Sequence, residues 1–322
     1  MITVWAPDGV GEVGEGDDLA EILLAAVHAA PETTALRDGD IVAVTSKVVS
    51  KAEGRARAST REQELPGETV RVVARRGHVR IVRNRLGLTM AAAGIDASNV
   101  AAGTVLLLPE RPDESARRIR AAIATAAGVN VAVVVTDTAG RAWREGQTDI
   151  AIGAAGLRVL DSFAGRTDAY GNQLAVTAPA VADEIASAAE LAQGKLGARP
   201  FAVLRGRGDL VLPAGEDGPG AGALVRGEGA DFFGYGAREA VVRALAGDVA
   251  DRRPFGAPAA AADLAEAIAT VTGLAVEVAQ DEVRVPAGEA DVLAKLTTLA
   301  FAFGWELSKD PDRLLRLRPV TP

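Results

Sequence analysis

Cysteine is absent from the 322 residues, and histidine occurs only twice, at His28 and His78. Disulfides and thiolate metal sites are therefore excluded, and a multi-histidine zinc site nearly so. Any metal ion held by this chain has to be held by oxygen. His28 lies in an apolar helical run and reads as a packing residue, whereas His78 stands among arginines and could pack or bind. No apolar run is long enough to span a bilayer, and no basic-then-apolar leader opens the sequence. A cytoplasmic protein without membrane attachment is expected. A net charge of −8 argues against a general nucleic-acid binder.

What is present is ordinary in bulk and uneven in detail. At 48% hydrophobic and 24% charged, the chain can bury one large core or two smaller ones. Between Lys51 and Arg85, ten basic residues face four acids, a local +6 in an acidic protein. Such a segment is either a solvated face or a surface that focuses an anionic small substrate.

The strongest local signal is Val131 to Val135, an unbroken apolar, mostly β-branched run that reads as a strand buried on both faces. It runs into Thr136-Asp137-Thr138 and then about a dozen polar residues, including Gly140, Arg141, Arg144 and Gly146. A carboxylate and a hydroxyl delivered into a cationic loop suit Mg²⁺ or Mn²⁺, and Arg141 and Arg144 suit phosphate or carboxylate. The alternative is a strand end closed by an Asx-turn.

Gly39 to Thr45 reads as a second buried strand, leading into Ser46-Lys47 and Ser50-Lys51, four residues apart and on one face if helical. Gly9-x-Gly11-x-x-Gly14 matches the dinucleotide fingerprint, but Pro7-Asp8 interrupts before it and the helix starts later, with Asp17 as N-cap. No Walker loop occurs. Further helices are expected from Pro112 to about Ala127 and from Val181 to Gly194, and strands at 69–83, Thr104–Leu108 and Phe201–Leu204. Residues 205–236 form a long Gly-rich loop, functional or disordered. Residues 248–258 read as a linker, and 259–322 as a small α+β domain of order αββαββ.

Several blocks carry a resemblance. They are Gly16 to Leu19, Val44 to Arg55, Asn84-Arg85-Leu86-Gly87, Ala93 to Val100, Thr136 to Asp149, and Ala182-Asp183-Glu184-Ile185-Ala186. Together, over roughly residues 1–245, they resemble the coenzyme F-420:L-glutamate ligase family (gamma-glutamyl ligase, CofE type), a module that also forms the N-terminal half of FbiB proteins. The resemblance implies an α+β fold, with a CofE-like mixed sheet domain over 1–247 and the small α+β domain after it. It implies a homodimer. It further implies an amide ligase that uses GTP and a divalent metal, Mg²⁺ or Mn²⁺. Such an enzyme activates the phospholactyl carboxylate of a deazaflavin F-420 precursor and joins L-glutamate to it, with further γ-linked glutamates possible.

Carried onto matching positions, metal ligation falls on Asp96, Asp137 and Thr138. Nucleotide contact falls on Ser46, Lys51, Asn99 and the segment Val10-Gly11-Glu12-Val13, where Gly11 replaces the family's proline. Arg141 and Arg144 are expected to act with Asp137 on acidic substrates. The resemblance also implies that the 205–236 region closes over the nucleotide. Two departures stand out: Gln173-Leu174 replaces a usual Glu-Leu, and Arg226 to Phe233 is poorly matched. The tail is too short to be the FbiB flavin-binding domain, so no flavin is expected. Two other readings remain open: a ligase of the same fold acting on another carboxylate acceptor or amino acid, and a non-catalytic dimeric nucleotide-binding adaptor, which the altered loop favours.

Overall fold

The computed structural model describes residues 1–30, 34–231, 233–279, 282–286, 288–309 and 314–320. The chain divides into two compact units, one of residues 1–71 and 81–225, the other of residues 72–80 and 226–322. Both mix helices and strands, so the protein is of the α+β class.

The first unit opens with β1 (Thr3–Trp5), α1 (Leu19–Ala29), β2 (Ile41–Thr45), α2 (Ser46–Ala52), β3 (Ala56–Arg57) and α3 (Arg61–Glu68). Next in the chain come β4 (Thr69–Arg76) and β5 (Val79–Asn84), whose residues 72–80 belong to the second unit, and then β6 (Thr89–Ala91), β7 (Val105–Leu106) and α4 (Pro112–Ala127). It is completed by β8 (Ala132–Arg141), β9 (Arg144–Ala155), α5 (Val181–Gln193) and β10 (Phe201–Arg205). Its central sheet has the order β1-β10-β2-β8-β9. Only β2 and β8 run parallel in it, in register from Ile41 with Ala132 to Thr45 with Thr136.

Both faces of this sheet are covered, which is why its strands read as continuous apolar runs rather than alternating ones. On one side Val42, Val44, Val131, Val133 and Val135 pack with side chains of α1, α2 and α4. On the other, Ile41, Ala132 and Val134 pack with Val181, Ala182 and Ile185 of α5. Helix α4 follows the expected punctuation, with Pro112 and two acids in its first turn and Gly128 in the left-handed conformation at its end. Arg120, buried on α4, ties down the 212–217 segment: it donates to Pro213 O at 3.1 Å, Glu216 O at 2.9 Å and Asp217 Oδ1 at 2.9 Å.

Several expectations are revised. The polar residues after Val135 do not form a flexible loop: β8 continues to Arg141, and β9 returns from Arg144, pairing Asp137 with Ile150 and Thr138 with Asp149. The far end of this hairpin carries exposed residues on both strands and therefore lacks the alternation that marks a half-buried strand. Asp18, not Asp17, caps α1, accepting from Ala20 N at 2.8 Å and Glu21 N at 3.2 Å. Asp17 turns back to accept from Gly14 N at 2.8 Å. His28 is exposed on α1 rather than packed, and His78 is exposed as well. The strand expected over Thr104–Leu108 shortens to Val105–Leu106.

Much of the basic segment is spent internally. Arg55 and Arg85 share Glu68 at 2.9 and 2.8 Å, and Arg85 also donates to Pro109 O at 2.7 Å. Asn84, buried, holds its own loop by accepting from Leu86 N and Leu88 N at 3.0 Å each. These motif residues are therefore structural.

The second unit contains α6 (Ala237–Ala246), α7 (Ala261–Thr272), β11 (Glu277–Ala279), β12 (Glu282–Pro286), α8 (Ala290–Ala302), β13 (Trp305–Lys309) and β14 (Leu314–Pro319). The expected αββαββ order is found in its last six elements, whose sheet has the order β11-β12-β14-β13. Its core joins Leu264, Ile268, Val283, Val285, Leu296, Leu315 and Leu317. Residues 248–258, expected as a linker, contain two 3-10 turns, Val249–Asp251 and Arg253–Phe255, with Pro254 buried. Phe255 there stacks edge-on against Phe301 at 5.7 Å.

Candidate active site

The parallel pairing of β2 with β8 stops at Thr45 and Thr136, and the residues just beyond it build the site. Thr45 pairs with Thr136; the next residue on one strand, Ser46, opens α2, and the next on the other is Asp137. Ser46 Oγ donates to Asp137 Oδ1 at 2.6 Å. Helical spacing then sets Ser46 and Ser50 on the buried face of α2, while Lys47 and Lys51, one residue later in each case, share the next face. Lys51 Nζ is paired with Glu12 Oε1 at 2.5 Å, and Lys47 Nζ with Asp96 Oδ2 at 2.8 Å.

Asp137 keeps part of its surface toward a cleft, but its carboxyl is enclosed by protein. That burial pushes its pKa up to about 7, with the negative fields of Asp149 and Asp96 adding to it. The Ser46 hydroxyl and the charge of Lys47 work the other way. Asp96 is also pushed up by burial. In its case the hydrogen bond from Lys47 and the backbone and side-chain donors of Ser98 outweigh the burial, so its carboxyl titrates below the usual range. Ser98 N donates to Asp96 Oδ1 at 2.8 Å, closing an Asx-turn.

Across the strand end the chemistry repeats with different partners. Asp149, 3% exposed, accepts from Thr138 Oγ1 at 2.7 Å and Thr136 Oγ1 at 3.2 Å. Lys195, just past α5, donates to Thr138 Oγ1 at 2.9 Å and pairs with Glu190 at 2.7 Å. Its Nζ stands 3.7 Å from Asp149 Oδ1. Burial opposes the charge of Lys195, but the hydrogen bond to Glu190 and the field of Asp149 prevail, and its pKa is raised.

These groups open into one cleft of about 430 Å³. It is lined by nine of the residues singled out from sequence: Val10, Gly11, Glu12, Val13, Ser46, Lys51, Asn99, Asp137 and Thr138. Asp96 does not line it but borders it through Lys47. Arg141 and Arg144 are not brought in: they face each other at the exposed tip of the β8–β9 hairpin, where Arg141 donates to Glu145 O at 2.9 Å. The 206–225 segment is not among the lining residues either; Leu210 and Ala221 are buried in the core beside α5.

Lys47, read from sequence with Lys51 as one of two Ser-Lys pairs able to hold phosphates, lines the cleft, whereas sequence reasoning missed Asp149, Glu190, Gln193 and Lys195, which line it as well. Asp149 and Lys47 lay inside the blocks that carry the resemblance. The other three lie on a helix end that reads only as a stop signal, and nothing in their spacing pointed across to β8. Two cleft residues, Asn99 and Ala198, hold left-handed backbone at φ 56° and 51°, a strain that accumulates at functional sites.

Among the described residues, no group of three or more His, Asp or Glu side chains is arranged to hold a metal ion unaided. The donor chemistry nevertheless fits a hard cation. The enclosed Asp137 carboxyl lies in the negative fields of Asp149 and Asp96 and accepts from the Ser46 hydroxyl, while the Thr138 hydroxyl beside it donates to Asp149. Mg²⁺ bound beside nucleotide phosphates characteristically takes only one or two protein carboxylates.

Fold and site together define an α+β protein with a cleft of oxygen donors and lysines at the ends of a parallel strand pair. The F420-0:Gamma-glutamyl ligase family matches residues 9–64 and 63–206, and the chain belongs to that family. Among its relatives is a coenzyme F420:L-glutamate ligase of Archaeoglobus fulgidus, 38% identical over 225 residues, which are 64% of this chain and 88% of the relative. Another, of the same name, from Methanopyrus kandleri, is 37% identical over 246 residues, 69% of this chain and 93% of the relative. A third, from Halobacterium salinarum, is 39% identical over 216 residues, 59% and 81% respectively.

Proposed function

We propose that the protein is a ligase that joins L-glutamate to the phospholactyl carboxylate of the deazaflavin F-420 precursor, with GTP as the source of activation. The observation that carries this reading is the enclosed Asp137 carboxyl at the end of the parallel strand pair, hydrogen-bonded to Ser46 and flanked by Lys47 and Lys51 in one cleft. Support for the substrate class comes from the family and from the names of its relatives.

In this reading an oxygen of the acceptor carboxylate attacks the γ-phosphorus of GTP, GDP leaves, and an acyl-phosphate forms. The amine of glutamate then attacks the acyl carbon. A C–N bond forms, the C–O bond to phosphate breaks, and inorganic phosphate departs while the amine loses a proton. The cleft's share of this chemistry is positioning and charge. Lys47 and Lys51 face the triphosphate, Ser46 and Asn99 orient it, and the backbone of Val10 to Val13 walls it in. Asp137 and Thr138, with Asp96 beside them, would hold a Mg²⁺ or Mn²⁺ ion. Held there, such an ion would supply neutralisation of the charge on the triphosphate. A homodimer is part of the proposal, since the exposed arginines of the β8–β9 hairpin then have a second copy of the chain to meet.

The test is phosphate release from GTP by purified protein with Mn²⁺, L-glutamate and the precursor deazaflavin, with products weighed by mass spectrometry. Product heavier by one or more glutamyl residues supports the reading. Turnover with a different amino acid or acceptor replaces the substrate assignment, and GTP binding without turnover replaces the enzyme with a binding protein.

A further inference from the structure

Gln193 is the last residue of α5 and lines the cleft, yet it is only 1% exposed. Neither its amide nitrogen nor its amide oxygen has a hydrogen-bond partner. Leaving a buried amide unpaired is costly, so an amide with neither atom paired calls for a further partner such as a water, an ion or a ligand. Two residues on, Lys195 reaches across to Thr138 at 2.9 Å, and Glu190, three residues before Gln193, holds the same ammonium at 2.7 Å. The loop beyond carries the left-handed Ala198 and also lines the cleft. One end of one helix therefore offers an amide donor and acceptor, a cation and a carboxylate.

None of the residues that the family resemblance assigns to nucleotide or metal lies on this wall; its one link to them is the hydroxyl of Thr138. The opposite wall, built from α2 and residues 10–13, already holds the lysines suited to phosphates. The α5 wall has the complement of a free amino acid bearing a second carboxylate. The amide and Lys195 suit its carboxylates, and Glu190 suits its ammonium group. Contact with Thr138 places the amino acid beside the strand end where the activated carboxyl would be attacked.

We propose that the α5 wall, with Gln193 and Lys195 as its specificity-determining residues, is the binding site for the amine substrate, an acidic amino acid. This rests on the ligase reading above and names the subsite for its second substrate. Lys195 is more than half exposed, so Lys195→Met should fold normally; Gln193→Leu preserves volume while removing both unpaired polar atoms.

The experiment is steady-state kinetics of both variants, paired with calorimetric titration of L-glutamate into the full chain with Mn²⁺ and GDP present. Lys195→Met is expected to raise the KM for glutamate about ten- to a hundredfold, the loss of one charge-assisted hydrogen bond. The KM for GTP is expected to stay within about twofold, and calorimetry should show the same loss of glutamate affinity. Gln193→Leu should weaken glutamate binding while making the folded protein no less heat-stable, because it removes unpaired polar atoms. A wild type that binds glutamate but does not ligate it overturns the ligase reading and leaves the subsite standing. Glutamate titrations that are equal for wild type and Lys195→Met, or absent for both, overturn the subsite. So does a variant whose KM rises for GTP instead.

Discussion

Asp137 is held between burial and use. An enclosed carboxyl with its pKa pushed up to about 7 is stable protonated and becomes costly once ionised. The folded state therefore holds this proton more tightly than the unfolded chain does. Without a cation, that contribution to stability is present at low pH and is lost as pH rises toward 7. Thermal melts of cation-free protein should show this decline, and Asp137→Asn should flatten it. Divalent cation should bind more tightly at pH 8 than at pH 5.5, because the carboxyl has to release its proton first. Cation binding that is independent of pH would remove Asp137 from the ligand set. On the activity side, Asp137→Asn should lose about 2–4 kcal/mol of transition-state stabilisation, on the scale of one electrostatic stabiliser. Near wild-type turnover at saturating Mn²⁺ and GTP would sink that assignment.

At the scale of elements, the site depends on how α4 and β9 meet. A Cβ placed on Gly153 of β9 would stand 2.4 Å from the carbonyl carbon of Pro112 and 2.5 Å from its oxygen. This is backbone at the first turn of α4, which cannot swing aside as a side chain can. Gly153→Ala should cost about 1–3 kcal/mol as an overpacking change, measured by denaturant unfolding. A neutral result would mean that α4 shifts freely over the sheet. The same strand carries Asp149 four residues earlier, so the substitution should also loosen the hydroxyl bonds of Thr136 and Thr138. In the sequence Gly153 is one of several small residues in an apolar run. Only the packing of α4 shows why a methyl group is excluded there.

On the scale of the whole molecule, the two units should answer differently to acid. Glu282 on β12 accepts from Arg284 Nε at 2.6 Å and Arg318 Nη2 at 2.7 Å. These guanidinium groups hold its carboxyl well below the usual range, at about 2. A depressed carboxylate contributes stability above its ordinary pKa and loses it as pH falls toward 2. Amide hydrogen exchange should show β12 and β14 losing protection between about pH 4 and pH 2.5, and Glu282→Gln should remove that acid-sensitive step. The central sheet of the first unit should be indifferent to the substitution. An unchanged pH profile in the variant would make the arginine cluster an ornament of the surface.

Much of this was legible in the chain itself. Unbroken apolar, mostly β-branched runs at Val131 to Val135 and Ile41 to Val44 are satisfied by strands covered on both faces, because solvent on either side would expose them. The absence of cysteine and the scarcity of histidine restricted any metal chemistry to oxygen. The αββαββ tail followed from alternation and from glycine stops such as Gly273. The parallel pairing of β2 with β8 was not legible, because periodicity carries no information about which strand lies beside which. That pairing alone brings Ser46 within 2.6 Å of Asp137, 91 residues away. The β8–β9 hairpin was also hidden, since a ribbon extending past the core needs no apolar face. It carried Arg141 and Arg144 away from the residues they were expected to join. The wall formed by Glu190, Gln193 and Lys195 belongs wholly to the tertiary structure. A glutamine at a helix end is ordinary until the fold buries it unpaired beside a cleft.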